Sequence, residues 1–193
     1  MILIRISLAA LTVVAAAVFS GGAPLAWAAS TSADLAPVAA CPGQAATTAP
    51  ASVQLRAMRC LINWTRRHNG MAPVRDHAEL DRSAAIRGNE IRRCGDFSHT
   101  PCGQSFLEVF TAVHYLAGTS TVGENLAWGQ GRLGSARTAM SGWLASPAHR
   151  QILFTADWRD LGLSLSKSRW LFGRPNVSLW VAQFGHRTAV LGP

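Results

Sequence analysis

The apolar residues of this chain recur with one period through its middle and another in its last third, and neither an all-helical nor an all-strand fold accommodates both. Leu55, Met58, Leu61, Ile62 and Thr65 fall on one stripe at helical spacing, with Arg56, Arg59, Arg66 and Arg67 mostly off it. Gly70 suits the stop of that helix, and Pro73 prevents its continuation. Asp76 with Glu79 reads as a capping box ahead of Leu80, Ala84, Ala85 and Ile91. Ser105 with Glu108 reads as a second box, ahead of Phe106, Val109, Phe110, Val113 and Leu116. A further helix is expected from about Ser135 to Ala145, burying Ala139, Met140, Trp143 and Leu144. Ser146-Pro147 then starts a short one, with serine as N-cap and proline at its first position. From Leu161 the period falls to two. Leu161, Leu163 and Leu165 alternate with Gly162, Ser164 and Ser166, and Val177, Leu179 and Val181 alternate with Ser178, Trp180 and Ala182. Gly173-Arg174-Pro175-Asn176 lies between as turn chemistry. Val122–Trp128 is a third strand candidate. Helices first and strands last predict an α+β domain, with helices packed on a small antiparallel sheet.

A chain of 193 residues suits one domain with a tail, and 49% hydrophobic against 15% charged residues excludes a disordered polyelectrolyte. Arg5 precedes the uncharged run Ile6–Phe19, and Ala26-Trp27-Ala28 follows as a small-x-small site. This predicts a signal peptide over residues 1–28, cleaved after Ala28. Fourteen uncharged residues are short for a bilayer span, and no later stretch approaches the ~20 apolar residues that a spanning helix needs. No transmembrane segment is therefore expected after cleavage. Residues 29–51, rich in Ala, Thr, Ser and Pro, read as a flexible arm. In an oxidising compartment the even set Cys41, Cys60, Cys94 and Cys102 forms two disulfides. Three pairings are possible, and adjacency in sequence favours Cys41–Cys60 and Cys94–Cys102. The second would brace the loop that carries His99. A zinc site built on cysteine has neither CxxC nor a Cys/His doublet to support it.

The formal charge is +8, and Arg56–Arg93 holds nine arginines against Asp76, Glu79, Asp81 and Glu90. Such a face is a solvated helix surface, or one attracted to anionic envelope polymers or lipids. Nucleic acid is not expected, because aromatics are not interleaved with the basic residues. Glu124 is unusual in sitting inside the apolar stretch Val122–Trp128. It either faces solvent on a strand edge or is buried with a histidine or arginine partner. His99 and His149 are the candidate histidines, and His149 falls at the third position of the helix opened by Ser146-Pro147, where imidazolium is disfavoured. No nucleophile elbow and no phosphate-binding glycine loop is present.

Read in order, these motifs resemble the CAP superfamily of cysteine-rich secretory, antigen 5 and pathogenesis-related 1 proteins, in its bacterial SCP-domain form. The resemblance runs through Leu61-Ile62-Asn63, Phe97-Ser98-His99, Gly123-Glu124-Asn125-Leu126-Ala127, Trp143, Ser146-Pro147-Ala148-His149-Arg150, Leu161-Gly162-Leu163 and Trp180-Val181-Ala182-Gln183-Phe184-Gly185. It covers about residues 52–187 and leaves 188–193 as a tail. It implies a three-layer α-β-α sandwich with a central antiparallel sheet, and a cleft lined by two histidines and two acids. Carried over, those are His99, His149 and Glu124, while Ser146 stands where the second acid would be. Asn125 is expected to fix backbone groups beside them. With three ligands at most, the resemblance implies no obligatory cofactor and at best a weakly held divalent ion such as zinc, on His99 and His149. The expected function is a secreted, non-enzymatic binder of a small ligand, lipid or envelope component. The alternatives are a metal-assisted hydrolase in the same cleft and a structural interaction module of the cell envelope.

Overall fold

The first long helix, α1 (Ala51–His68), buries Met58, Leu61, Ile62 and Thr65, as its stripe predicts. It ends in a Schellman motif: Gly70 sits at φ +71°, its N–H donates to the Arg67 carbonyl, and the Met71 N–H reaches back to Arg66. Arg66, expected off the stripe, is fully buried and donates to the carbonyls of Ala72, Leu153 and Thr155. Burial first, and Arg159 second, lower its pKa to about 10.

The computed structural model describes residues 4–7, 10–11 and 33–188. Its remaining elements are β1 (Ile4–Ser7), β2 (Ala10–Leu11), β3 (Arg75–Asp76), α2 (Ala78–Cys94), α3 (Glu108–Ala112), β4 (Ser120–Gln130), α4 (Ala136–Ala145), α5 (Pro147–Leu153), β5 (Asp160–Leu171) and β6 (Arg174–Arg187). The strands form one sheet in the order β2-β1-β4-β6-β5-β3. Helices α1, α4 and α5 cover one face over a core of Leu61, Ile62, Trp143, Trp158, Trp180 and Phe184. Helices α2 and α3 cover the other, through Leu80, Phe110 and Val122 and through Ala84, Ile91 and Val181. The α-β-α layering is therefore as expected. The sheet is not wholly antiparallel, because the two-residue β3 pairs parallel to β5. It reaches that edge directly from α1, before the antiparallel β5–β6 hairpin has been made.

Several local features differ from their sequence signals. α2 begins after His77 with no side-chain cap, and Ala85 is exposed while Ser83 and Arg87 are buried. α3 is one short turn, because His114 adopts φ +63° and the Tyr115 N–H returns to the Phe110 carbonyl, a second Schellman stop. The hairpin turn is Phe172-Gly173, with positive φ at both residues, the type I′ pattern. An L-aromatic residue in that region costs of order 1–2 kcal/mol. Gly162 lets α2 lie against β5, since a Cβ there would overlap the Leu80 backbone.

The segment expected as a flexible arm packs closely from Asp34 onward. Ala36, Cys41 and Gln44 are buried, and the Gln44 amide donates to the carbonyls of Pro37, Val38 and Cys41. Arg137 of α4 donates to the Ala36 carbonyl and to Gln44 Oε1. Single buried side chains anchor this strap, so no apolar period announces it. Cys41–Cys60 and Cys94–Cys102 are both formed. Of the expected signal peptide, only β1 and β2 are described, with β1 paired antiparallel to β4. The expected cleavage region, Ala26-Trp27-Ala28, lies outside the described residues, as do residues 29–32 and 189–193. Among the described residues, no helix is long and apolar enough to cross a membrane.

Candidate functional site

Glu124 lies mid-strand in β4 with its side chain fully buried, and it is not solvent-facing. Buried carboxylates need partners, and this one has three. His99 Nδ1 lies 2.8 Å from Oε1, Gln183 Nε2 donates to Oε2 at 2.8 Å, and Arg87 Nε stands 3.4 Å from Oε2. Gln183 comes from β6, directly opposite Glu124 in the antiparallel register. Arg87 rises from α2, fully buried, and spends its other nitrogens on Glu90 and the Phe106 carbonyl. Glu124 therefore fixes the orientation and tautomer of His99 from behind. The loop that presents His99 is closed by Cys94–Cys102, and His99 stays partly exposed.

His149 occupies the third position of α5, after the Ser146 N-cap and Pro147. Its pKa is lowered from the usual imidazole value, by burial first and by the nearby His99 second. Asn125 Nδ2 donates to the His149 carbonyl at 3.0 Å, the backbone-fixing role expected of it. Trp143 Nε1 donates to the Leu126 carbonyl, tying α4 to β4. Between these elements runs an open groove of about 360 Å³, whose apolar lining includes Phe97, Leu126, Trp128, Leu133 and Trp143, with Ser146 and His149 among its polar residues. His99, Glu124, Asn125, Ser146 and His149 are thus gathered around one region, although they come from separate segments of the chain.

The donor set does not fit a three-ligand metal centre. Both Glu124 oxygens are engaged, Ser146 offers only a hydroxyl, and the described residues contain no cluster of three His, Cys, Asp or Glu side chains able to hold an ion. Sequence reasoning missed Arg87 and Gln183. An arginine seven residues after Leu80 and four before Ile91, on the apolar stripe of a helix, was the available signal for the first. Gln183 was hidden, since only strand register reveals it.

A family model described as the cysteine-rich secretory protein family, CAP, matches residues 60–188. The chain belongs to the CAP family. Among solved structures, CAP-type architecture recurs in an outer surface protein from Borrelia burgdorferi, with TM-score 0.61, 18% identity, 72% of this chain and 97% of that one covered. An extracellular protein containing an SCP domain from Bacillus anthracis aligns with TM-score 0.55 at 16% identity, over 72% of this chain and 44% of that one. A cysteine-rich secretory protein from Staphylococcus aureus gives TM-score 0.53 at 16% identity, over 72% of this chain and 41% of that one. This CAP chain thus spans less than half of the latter two, and at such identities the likeness concerns fold. No curated protein matches the sequence.

Proposed function

We propose that this CAP protein acts outside the cytoplasm as a non-enzymatic binder of a small amphipathic molecule, an acyl chain carrying a hydrogen-bonding head. The carrying observation is the apolar groove whose lining also includes His149 and Ser146, with His99 near enough to His149 to act on its charge. Apolar walls take the chain, and a neutral His149 with a Glu124-oriented His99 offers polar groups to the head. The two disulfides support an oxidising location.

The test is titration with a fluorescent long-chain fatty acid. A Cβ at Gly142, on the groove wall, would meet nothing within 4 Å, so Gly142→Trp can fill the groove without disturbing the helix core. Affinity should fall at least ~10-fold in that variant. Unchanged affinity would refute the groove as the binding place. A second reading, acid–base chemistry, is favoured by the His99–Glu124 contact alone, which suits a histidine that takes up a proton at its other nitrogen. Divalent ions would bind only weakly, through two imidazoles completed by water.

A further inference from the structure

We propose that the tip of the β5–β6 hairpin docks on the surface of an anionic lipid bilayer. The proposal goes beyond the groove reading and stands without it. Phe172 occupies the first position of a type I′ turn at φ +53°, a place where asparagine or glycine is the ordinary choice. Its ring contacts Phe97 and Trp128, with centroids 5.8 and 5.3 Å away. Both of those partners are substantially exposed, and Trp170, two residues before the turn, is 66% exposed. Phe172 itself is half-buried and packs on the core cluster that includes Leu126, Leu179 and Val181. The strained turn thus sets an inner ring beneath the exposed Phe97 and Trp128, and it is that exposed aromatic pair that points to use of the surface.

Charge decides the partner. Arg92, Arg93, Arg132, Lys167, Arg169 and Arg174 are all exposed on the stretches 92–97, 128–134 and 165–178, against Asp96 alone. Arg92 spends a donor on Ser168 Oγ, and Lys167 spends donors on the Thr47 and Ala49 carbonyls. These acceptors are neutral, so the positive charge is not cancelled by them. Tryptophan and phenylalanine at a tip ringed by arginine match a headgroup region, in which rings enter the interface and cations meet anionic lipid. A soluble polyanion would use the cations and leave the rings idle. The hairpin carries both.

The experiment is vesicle co-sedimentation of the purified protein with phosphatidylcholine alone and with roughly 30 mol% phosphatidylglycerol added. Binding should rise about tenfold or more on adding the anionic lipid and weaken with salt. Trp170→Ser combined with Phe172→Asn should lower it about tenfold, with thermal melts confirming a folded chain, because asparagine suits the turn. Arg169→Gln with Arg174→Gln should lower it as well. Arg169 and Arg174 do not line the groove, so the Arg169→Gln, Arg174→Gln variant should keep its fatty-acid affinity, which separates this proposal from the groove reading. Equal binding to neutral vesicles overturns the proposal. So does arginine-dependent binding that is indifferent to the two aromatic substitutions and is shared with soluble polyphosphate, which would assign the surface to an anionic polymer.

Discussion

Arg87 illustrates how one side chain can hold a site it does not line. It sits with its guanidinium between Glu124 and Glu90, all three largely removed from water. Arg87→Met keeps the volume but leaves two carboxylates without their cation, and removing one partner of a buried pair costs about 3–5 kcal/mol. Urea unfolding should show that loss, accompanied by release of His99. A loss below ~1 kcal/mol would mean that Gln183 and His99 suffice to hold Glu124. His149 sets the pH behaviour. Its folded pKa lies below the usual imidazole value near 6.5, so between the two the unfolded chain binds more protons than the folded one. Stability is therefore full above pH ~6.5 and falls as the pH drops below it. His149→Gln should flatten that decline in thermal melts across the acid range. At this scale the candidate site was largely legible: His99, Glu124, Asn125, Ser146 and His149 carry the motifs. Gln183 was not, because its role is created by cross-strand pairing.

Elements were legible where an apolar period met its stop signal. α1 with Gly70, α4 from about Ser135 and the two strands of the β5–β6 hairpin follow their patterns, although the turn falls at Phe172-Gly173 rather than over 173–176. α3 fell short of its stripe because His114 turns the chain and sends Tyr115 inward, where its hydroxyl donates to Asp160 Oδ2 at 2.7 Å. Histidine is not a typical left-handed stop, so nothing local marked that boundary. The contact between α2 and β5 is the element-level weak point of the site, since α2 carries Arg87 and leads into the His99 loop. Gly162→Ala would force a methyl into the Leu80 backbone, which cannot swing aside as a side chain can. Overpacking of this kind costs about 1–3 kcal/mol. The chemical shifts of His99 should move with it, whereas Gly142→Ala, on an open helix face, should raise stability by about 0.5–1 kcal/mol and leave His99 unmoved. The Cys94–Cys102 loop responds differently. Replacing both by serine removes a constraint worth up to about 2.5 kcal/mol on the chain-entropy estimate, and it should weaken groove binding more than it weakens the core.

Across the whole molecule, the strap of residues 34–44 joins the start of the described domain to the helix that carries His149. Its composition is that of a loop, and its partners are scattered from Cys60, Thr65 and Asn69 to Arg137 and Arg150, so no pattern along the sequence could reveal its packing. Asp34 is the joint. Its Oδ2 pairs with Arg150 at 2.6 Å, its Oδ1 accepts from Asn69, and its carbonyl accepts from Thr65. Arg150 also stacks over Phe154 and directly follows His149. The His149 carbonyl is in turn held by Asn125, beside Glu124. Three segments thus meet at α5: the strap, the end of α1 and the central strand. Asp34→Ala removes acceptors from Arg150 and Asn69 while leaving the Cys41–Cys60 anchor intact. Losing hydrogen bonds of this charged kind should cost about 2 kcal/mol in global stability. Native-state hydrogen exchange gives the sharper reading. Protection should fall in residues 34–44 and in α5, with α2 and the β5–β6 hairpin unchanged. Fatty-acid affinity should fall too, because His149 loses its support from the strap side. Exchange that rises in the strap alone, with α5 and the groove unaffected, would show that the strap closes the core without reaching the site.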